Sequence, residues 1–417
     1  MLAQPLNNPL LRIAGMLESL SPVFKLPVEV FDDILLLLAR AAFVAGESSW
    51  CWLAVTHTCR AWRLRALSFP LLWTYLDFTF GGEAWTEECL RRACAAPITV
   101  AQPALQRYAD LFKHVLASRS PNIASLHVYR ANECVGALNV FLKQPAPALR
   151  CLHLATSDKA LWNFTMYLPR ELFAGAALHL HSLELHGYMF QWQTLTTFAG
   201  LERLVLSVPS PRHCASHTLI RPQETVDMQP AEWPDVLPAL RNLTELRELH
   251  LSYCWPGLQM KAPESADAER AASDSIFLPH LQSLTIAGYS VQCAWFLRHV
   301  RHPPHTHLGI TCLSSPQVAR ADMSTVTPFL STRFALGGVK ATLSDYAGYR
   351  VIGDGTELVL LWDRTFTFGM SRAEACVVHD YALRELGLGP QVKVDFEMEW
   401  EEDWGGAPSV MMSGFIF

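Results

Sequence analysis

Histidine recurs at one position of a six-residue phrase, Leu-x-x-Leu-x-Leu, that the chain contains six times with conservative replacements. Side chains of a strand alternate between its two faces, so the third and fifth positions of such a phrase point away from the core together. Imidazole and charged groups on one exposed face can form hydrogen bonds and ion pairs with a bound protein. The candidate substrate-binding residues are the histidines and charged groups at these two positions: His127, His153, Glu184, Arg203, Glu248 and His250.

Two groups of histidines raise the question of a metal site. Neighbouring strands lie about 4.8 Å apart, so His127 and His153 can lie side by side if no strand separates them. Tetrahedral zinc needs three or four converging ligands, and we do not expect a flat sheet face to converge them. His299, His302, His305 and His307 accompany Pro303 and Pro304 and lack cysteine partners, which favours a surface loop. We therefore predict neither a metal nor another cofactor.

Catalytic motifs are absent from the sequence. It contains no Gly-x-Ser-x-Gly, phosphate-binding loop, His-Glu-x-x-His or Gly-x-Gly-x-x-Gly. The pair Gly353 and Gly355 is too short to surround a phosphate. The sequence therefore predicts a chain without catalytic residues, which acts by binding.

The six phrases imply a repeating arrangement of strands that positions them. Their fourth positions are separated by 26, 31, 21, 45 and 35 residues, whereas regular leucine-rich repeats recur every 20 to 29 or so. The phrases resemble leucine-rich repeats, which implies an irregular solenoid of parallel strands. They are Ile123 to Val128, Leu149 to Leu154, Leu180 to Leu185, Leu201 to Leu206, Leu246 to Leu251 and Leu281 to Ile286.

A different pattern precedes the phrases. Pro27 suits the first turn of a helix, which we expect to end near Arg40. Its apolar side chains form a stripe that is wider than a single neighbouring element could bury, and this implies two contact faces. A second helical stretch is predicted from Trp50 to Leu67, and a brief helix is predicted to follow a cap at Ser68. Three such short helices bury too little surface to be stable alone.

These helices carry a resemblance to the F-box. Leu26-Pro27-Val28-Glu29, then Val55-Thr-His-Thr-Cys-Arg-Ala-Trp-Arg63, then Pro70-Leu-Leu-Trp73 are similar to the three parts of that motif, in the same order. An enlarged stretch between Arg40 and Leu53 is similar to many fungal members. The resemblance implies docking on a Skp-type adaptor of a cullin-RING ubiquitin ligase. The implied adaptor contacts are Leu26, Pro27, Val30, Ile34, Val55, Cys59, Trp62, Leu72 and Trp73.

Two functions follow from these patterns. The chain is expected to be the substrate-recognition subunit of a Skp-cullin-F-box ubiquitin ligase, whose repeat region holds an unidentified protein substrate. The alternative is a non-catalytic repeat scaffold outside ubiquitin transfer, whose N-terminal helices bind an adaptor without recruiting a cullin or bind nothing. A separate alternative for the N-terminal helices is that they are only a helical cap of the repeats. Assembly with a cullin distinguishes the two.

Composition limits the partners and the compartment. Half of the 417 residues are hydrophobic and the formal net charge is −6, so we expect no nucleic-acid ligand. No apolar run approaches the roughly 20 residues that span a bilayer, and the start is a poor secretory signal. The 11 cysteines include no Cys-x-x-Cys pair, which is typical of free thiols in a reducing compartment. A cytoplasmic or nuclear location without membrane attachment is expected.

The predicted fold is α/β, with an F-box, an irregular leucine-rich-repeat solenoid and a β-rich C-terminal continuation. The solenoid end needs a cap to stay soluble, and the continuation is expected to supply it. The predicted segments are an N-terminal segment at 1–20, the F-box at 21–80, a helical connector at 81–122, the repeats at 123–311 and the continuation or cap at 312–417.

Overall fold

The protein is described here by a computed structural model. It describes residues 22–45, 51–78, 82–102, 108–156, 166–208, 233–254, 275–314, 326, 340–344, 348–353, 356–362 and 394–396. The chain is mixed α/β and divides into two compact units. Residues 1–209 and 216–248 form the first unit, and residues 210–215 and 249–417 form the second. The predicted N-terminal segment, 1–20, lies outside the described residues.

Seven α-helices occur among the described residues. No described helix combines the length and the apolar composition that crossing a bilayer requires. The helices are α1 (Val28–Ala45), α2 (Arg60–Ser68), α3 (Gly82–Ala93), α4 (Ala109–Arg119), α5 (Val135–Phe141), α6 (Trp233–Arg241) and α7 (Ser290–His299).

The first unit contains a parallel sheet. Its strands follow one another in the order β1, β2, β3, β4, β6 and β8, each paired in parallel with the next. A separate parallel pair is formed by β5 and β7. The strands are β1 (Tyr75–Asp77), β2 (Ile98–Gln102), β3 (Ile123–Val128), β4 (Cys151–Ala155), β5 (Met166–Tyr167), β6 (Ser182–His186), β7 (Tyr188–Met189) and β8 (Arg203–Ser207).

The main part of the second unit begins at Leu249, within strand β9, and contains both parallel and antiparallel pairs. β11, β13 and β16 are paired in parallel, and β16, β15 and β14 continue in antiparallel pairs. β10 pairs with β12, and β14 with β17, both in parallel. The strands are β9 (Glu248–Ser252), β10 (Ile276–Phe277), β11 (Ser283–Tyr289), β12 (Val300–Arg301), β13 (His307–Ser314), β14 (Lys340–Ser344), β15 (Gly348–Gly353), β16 (Thr356–Trp362) and β17 (Val394–Phe396).

All six leucine phrases contain strands with the expected alternation. In β4, for example, Leu152 and Leu154 are at most 1% exposed while Cys151, His153 and Ala155 are half-buried. The first, fourth and sixth positions are buried in every copy. Period-two patterning therefore identified both the strands and the side chains that form the core beneath them.

One fifth position departs from this pattern. Val205 is buried, whereas we expected every fifth position to be exposed. Its register partner on β6 is Glu184, and Arg203 precedes it by two residues on the same face. Arg203 and Glu184 are bonded to each other beside Val205, and a pair of long side chains can cover a small apolar one.

The segment 81–122 contains more than the helical connector that we expected. Helices α3 and α4 lie within it, but β2 lies between them and joins β1 to β3 in the sheet. The sequence of β2 is Ile-Thr-Val-Ala-Gln, and Ile98 and Val100 are buried while Thr99 is half-buried. Its alternation is short, and it lacks the leucines that marked the six phrases.

The N-terminal helices differ in detail from their predicted extents. α1 continues beyond Arg40 to Ala45. The stretch predicted as one helix is instead a 3-10 helix, Cys51–His57, followed by α2. Cys59 separates them because its backbone is extended, with φ −153°, and its Sγ accepts a hydrogen bond from the N–H of Trp62. Ser68 is the last residue of α2, and a 3-10 helix, Pro70–Trp73, follows it.

Candidate functional site

A row of polar side chains crosses the exposed face of the first unit's sheet. The rings of His127 and His153 stack with their centroids 6.0 Å apart. His153 Nδ1 lies 3.0 Å from an oxygen of Glu184, and Arg203 Nε donates to the other oxygen at 2.8 Å. A second nitrogen of Arg203 donates to Glu248. We call His127, His153, Glu184, Arg203 and Glu248 the polar row.

Strand register brings the row together. His127 is the direct partner of His153 across β3 and β4, and His153 is the direct partner of Glu184 across β4 and β6. No strand separates β3 from β4, so the expected proximity of the two histidines is confirmed. Arg203 stands two residues before Val205, the partner of Glu184, and its long side chain bridges that offset.

The row is held by charge as well as by register. The hydrogen bond from His153, together with the charge of Arg203, holds the pKa of Glu184 at about 2, although burial acts in the opposite direction. Burial and the neighbouring His153 both lower the pKa of His127. With neutral histidines the row carries two carboxylates and one guanidinium, a net charge of −1. It therefore offers a moderately acidic surface with two stacked imidazoles at one end.

The sixth predicted substrate contact, His250, lies on β9 and is half-buried. It belongs to the second unit.

Sequence reasoning missed three aromatic residues at the imidazole end of the row. The ring of Tyr129 lies 5.1 Å from that of His153, and the ring of His186 lies 5.3 Å from it on another side. Both occupy the seventh position of their phrases, and extending the period-two alternation by one step would have placed them on this face. Phe43 of α1 lies 6.5 Å from His127, and no local signal in the sequence indicates that contact.

Three side chains of residue types that can bind a metal converge near His153. His153, Glu184 and His186 each offer one ligand atom, and these atoms all lie within 4.8 Å of one another. The expectation that a sheet face does not converge such ligands is therefore wrong here. His186 stands two residues after Glu184 on β6, so both side chains emerge on the side occupied by His153.

The histidines around Pro303 and Pro304 behave differently. His299 is the last residue of α7 and is 3% exposed, with its ring stacked on Trp295 at 4.3 Å. It was expected in a surface loop, and the helix that buries it was not recognised. His305 and His307 are exposed. Among the described residues these histidines form no group with metal-ligand spacing.

A second surface of interest is apolar and lies at the N-terminus. Nine of the 14 large hydrophobic side chains that are exposed in the described residues fall between Leu26 and Leu71. On α1, Val30, Ile34, Leu37 and Leu38 follow one another at i, i+4, i+7 and i+8, so they form one stripe along the helix. We call these four residues the α1 stripe. The other exposed members are Leu26, Val28, Leu64, Leu67 and Leu71.

The opposite face of α1 is packed. Leu35 and Ala39 are each 1% exposed, and the ring of Phe31 lies 5.1 Å from that of Trp62 on α2. An ion pair between Asp32 and Arg65 also joins α1 to α2. The helix therefore has one covered and one uncovered apolar face, as the width of its apolar stripe indicated.

The nine predicted adaptor contacts divide by exposure. Leu26, Pro27, Val30 and Ile34 are exposed, whereas Cys59 and Trp62 are half-buried. Val55, Leu72 and Trp73 are buried at 8%, 1% and 2% exposure, so in this structure they are core residues and are not available to a partner.

The burial of Trp73 has a clear physical cause. Its indole N–H donates to the carbonyl of Ala66 at 2.8 Å, one of the last four carbonyls of α2, which lack helical partners. Trp52 meets it edge to face at 5.1 Å, and the guanidinium of Arg92 lies 4.1 Å from its ring centroid. Trp73 is thus the anchor that joins α2 to α3.

Comparisons with known proteins add no family assignment. No protein-family model matches the sequence. No curated protein matches it significantly either.

Proposed function

We propose that this chain is the substrate-recognition subunit of a Skp-cullin-F-box ubiquitin ligase. Its N-terminal helices dock on the Skp-type adaptor, and its leucine-rich-repeat region holds the protein to be modified. The chain supplies no catalytic group in this proposal. It raises the effective concentration of target lysines near a ubiquitin-charged enzyme carried elsewhere in the assembly.

The observation that carries the proposal is the concentration of exposed apolar side chains between Leu26 and Leu71. Contiguous apolar surface is rare on monomers and marks sites of protein contact. The α1 stripe lies within the segment whose sequence resembles an F-box, and Leu37 is 64% exposed. A helical cap that served only its own repeat region would have no need to leave this stripe uncovered.

The buried residues support a rigid docking element. Trp73 joins α2 to α3 through Ala66 and Trp85, and Leu72 and Val55 are buried core residues, so the α1 stripe is presented on a packed support. The role of these three residues in the proposal is to position the docking surface. Contact with the adaptor is assigned to exposed residues, first of all the α1 stripe with Leu26 and Pro27.

The polar row supports a binding role for the sheet. Five charged or imidazole side chains stand on neighbouring strands. Four of them are joined by hydrogen bonds and His127 stacks on His153, which reduces the entropy lost when a partner binds. The row's net negative charge favours a substrate segment that carries lysine or arginine.

Co-purification with the adaptor tests the proposal. The double substitution Ile34→Asp with Leu37→Asp places two charges on the α1 stripe. We expect adaptor binding at least about 30-fold weaker, because hot-spot residues contribute 2 kcal/mol or more. The far-UV circular dichroism is expected to stay unchanged, because both side chains are exposed.

The matched control is Leu178→Asp, which alters an apolar side chain that is 73% exposed and lies outside the N-terminal helices. Its adaptor binding is expected to equal that of the unmodified chain. Equal binding by the double variant would refute docking through the α1 stripe. Adaptor binding without recruitment of a cullin would instead favour the scaffold function.

A further inference from the structure

His153, Glu184 and His186 form a triangle on one face of the sheet. His153 and Glu184 are direct partners across β4 and β6, and His186 is paired with Ala155 two residues farther along the same strands. One donor atom from each of the three side chains lies within 4.8 Å of the other two. All three side chains are half-buried.

The distances suit a small cation. His153 Nδ1 and Glu184 Oε2 lie 3.0 Å apart. Two ligand atoms, each about 2.0 to 2.1 Å from a tetrahedral zinc ion, are separated by about 3.3 Å. An ion can thus take the place of the shared proton with little movement of either side chain, and a rotation of the His186 ring completes a three-ligand set.

The surrounding charge is compatible with a cation. Arg203 is bonded to Glu184, but it is also bonded to Glu248. When an ion engages Glu184, the guanidinium can keep its bond to Glu248. The two carboxylates exceed the single guanidinium by one negative charge, so the local charge attracts a cation.

We propose that His153, Glu184 and His186 bind one divalent transition-metal ion of the zinc class. Two imidazoles and one carboxylate are the donor types that zinc and neighbouring first-row ions select. The fourth position faces outward and is filled by water or by a side chain of a bound protein. The ion ties β4 to β6 within the polar row. The site is independent of adaptor docking and of ubiquitin transfer.

The test uses the full chain after removal of metal with a chelator and dialysis. Zinc binding is measured by calorimetry, and cobalt serves as a spectroscopic probe. The expected result is one ion per chain, with visible cobalt absorption typical of four-coordinate nitrogen and oxygen ligation. Absence of stoichiometric binding would overturn the proposal.

His186→Ala removes one ligand without touching the bonds that join Glu184 to its two partners in the polar row. We expect zinc affinity to fall at least about 100-fold, beyond the 10- to 100-fold that loss of an outer-shell partner costs. His179→Ala removes an exposed histidine outside the triangle and is expected to bind as the unmodified chain does. Equal binding by His186→Ala, or equal loss in both variants, would show that the ion binds elsewhere.

Arg203→Gln is expected to change zinc affinity in the opposite direction from His186→Ala. It removes the positive charge that competes for Glu184, so zinc affinity is expected to rise several-fold. A merely structural role for the triangle would not produce tighter metal binding. An unchanged or weaker affinity contradicts the proposed coordination by Glu184.

Discussion

Substitutions at Trp73 and Leu71 distinguish a core residue of the N-terminal helices from a surface residue. Trp73 is 2% exposed, whereas Leu71, two residues earlier in the same 3-10 helix, is 41% exposed. Both belong to the N-terminal helices for which we propose docking on the adaptor. Because of this difference in exposure, we expect Trp73→Ala to reduce the free energy of unfolding strongly and Leu71→Ser to leave it nearly unchanged.

The expected magnitude follows from the contacts of Trp73. Truncating a buried tryptophan to alanine costs about 3 to 5 kcal/mol through lost burial and the remaining cavity. Trp73→Phe keeps most of the ring but loses the N–H that satisfies the carbonyl of Ala66, at a cost of about 1 to 3 kcal/mol. Leu71→Ser is expected to stay within about 0.5 kcal/mol, as is usual for surface substitutions.

The assay is urea unfolding followed by far-UV circular dichroism, combined with adaptor binding at low denaturant concentration. The chain has two compact units, so the free energy of unfolding is taken from the transition that the Trp73 substitutions shift. We expect Trp73→Ala to be the least stable variant, Trp73→Phe to be intermediate and Leu71→Ser to be the most stable. Equal stability of the Trp73→Ala and Leu71→Ser variants would refute the assignment of Trp73 to the core.

Two further predictions concern single residues of the first unit. Iodoacetamide at pH 9 is expected to modify the exposed Cys94 and to leave Cys89 and Cys134 intact until urea is added, because burial raises the pKa of both thiols to about 12 and keeps them protonated. Peptide mass spectrometry checks this, and native modification of Cys89 at the rate of Cys94 would contradict it. Gly82→Ala is expected to cost about 1 to 2 kcal/mol because Gly82 has φ +64°, whereas Gly136→Ala, with open space around its Cβ, is expected to stabilise α5 by about 0.5 to 1 kcal/mol. Urea unfolding measures both, and a shift of the same sign in the two variants would refute the argument.

Local patterns predicted much of the framework. Alternation over six residues is enough to place Leu152 and Leu154 in a core and His153 outside it, because successive side chains of any strand leave opposite faces. The helical spacing of apolar residues in α1 also predicted two contact faces, one that includes Phe31 and Leu35 and one that includes Ile34. Both inferences depend only on the geometry of a single element.

Features that depend on the meeting of separate elements were not readable in this way. Trp73 and Leu71 are both apolar and lie two residues apart, yet only Trp73 is buried, because Trp52 and α3 happen to cover it. Cys59 resembled a contact residue but caps α2. The contact of Phe43 with His127 joins residues 84 positions apart, and no local pattern indicates it.

The sequence by itself determined which side chains of the polar row point away from the core, because each strand alternates between buried and outward-facing residues. Only the tertiary structure decided that His127 and His153 are register partners, that Arg203 lies between two carboxylates and that His186 approaches His153. The physical reason is that the direction of a side chain follows from the dihedral angles of its own strand, whereas the distance between side chains follows from the register of neighbouring strands, which the packing of the whole unit sets.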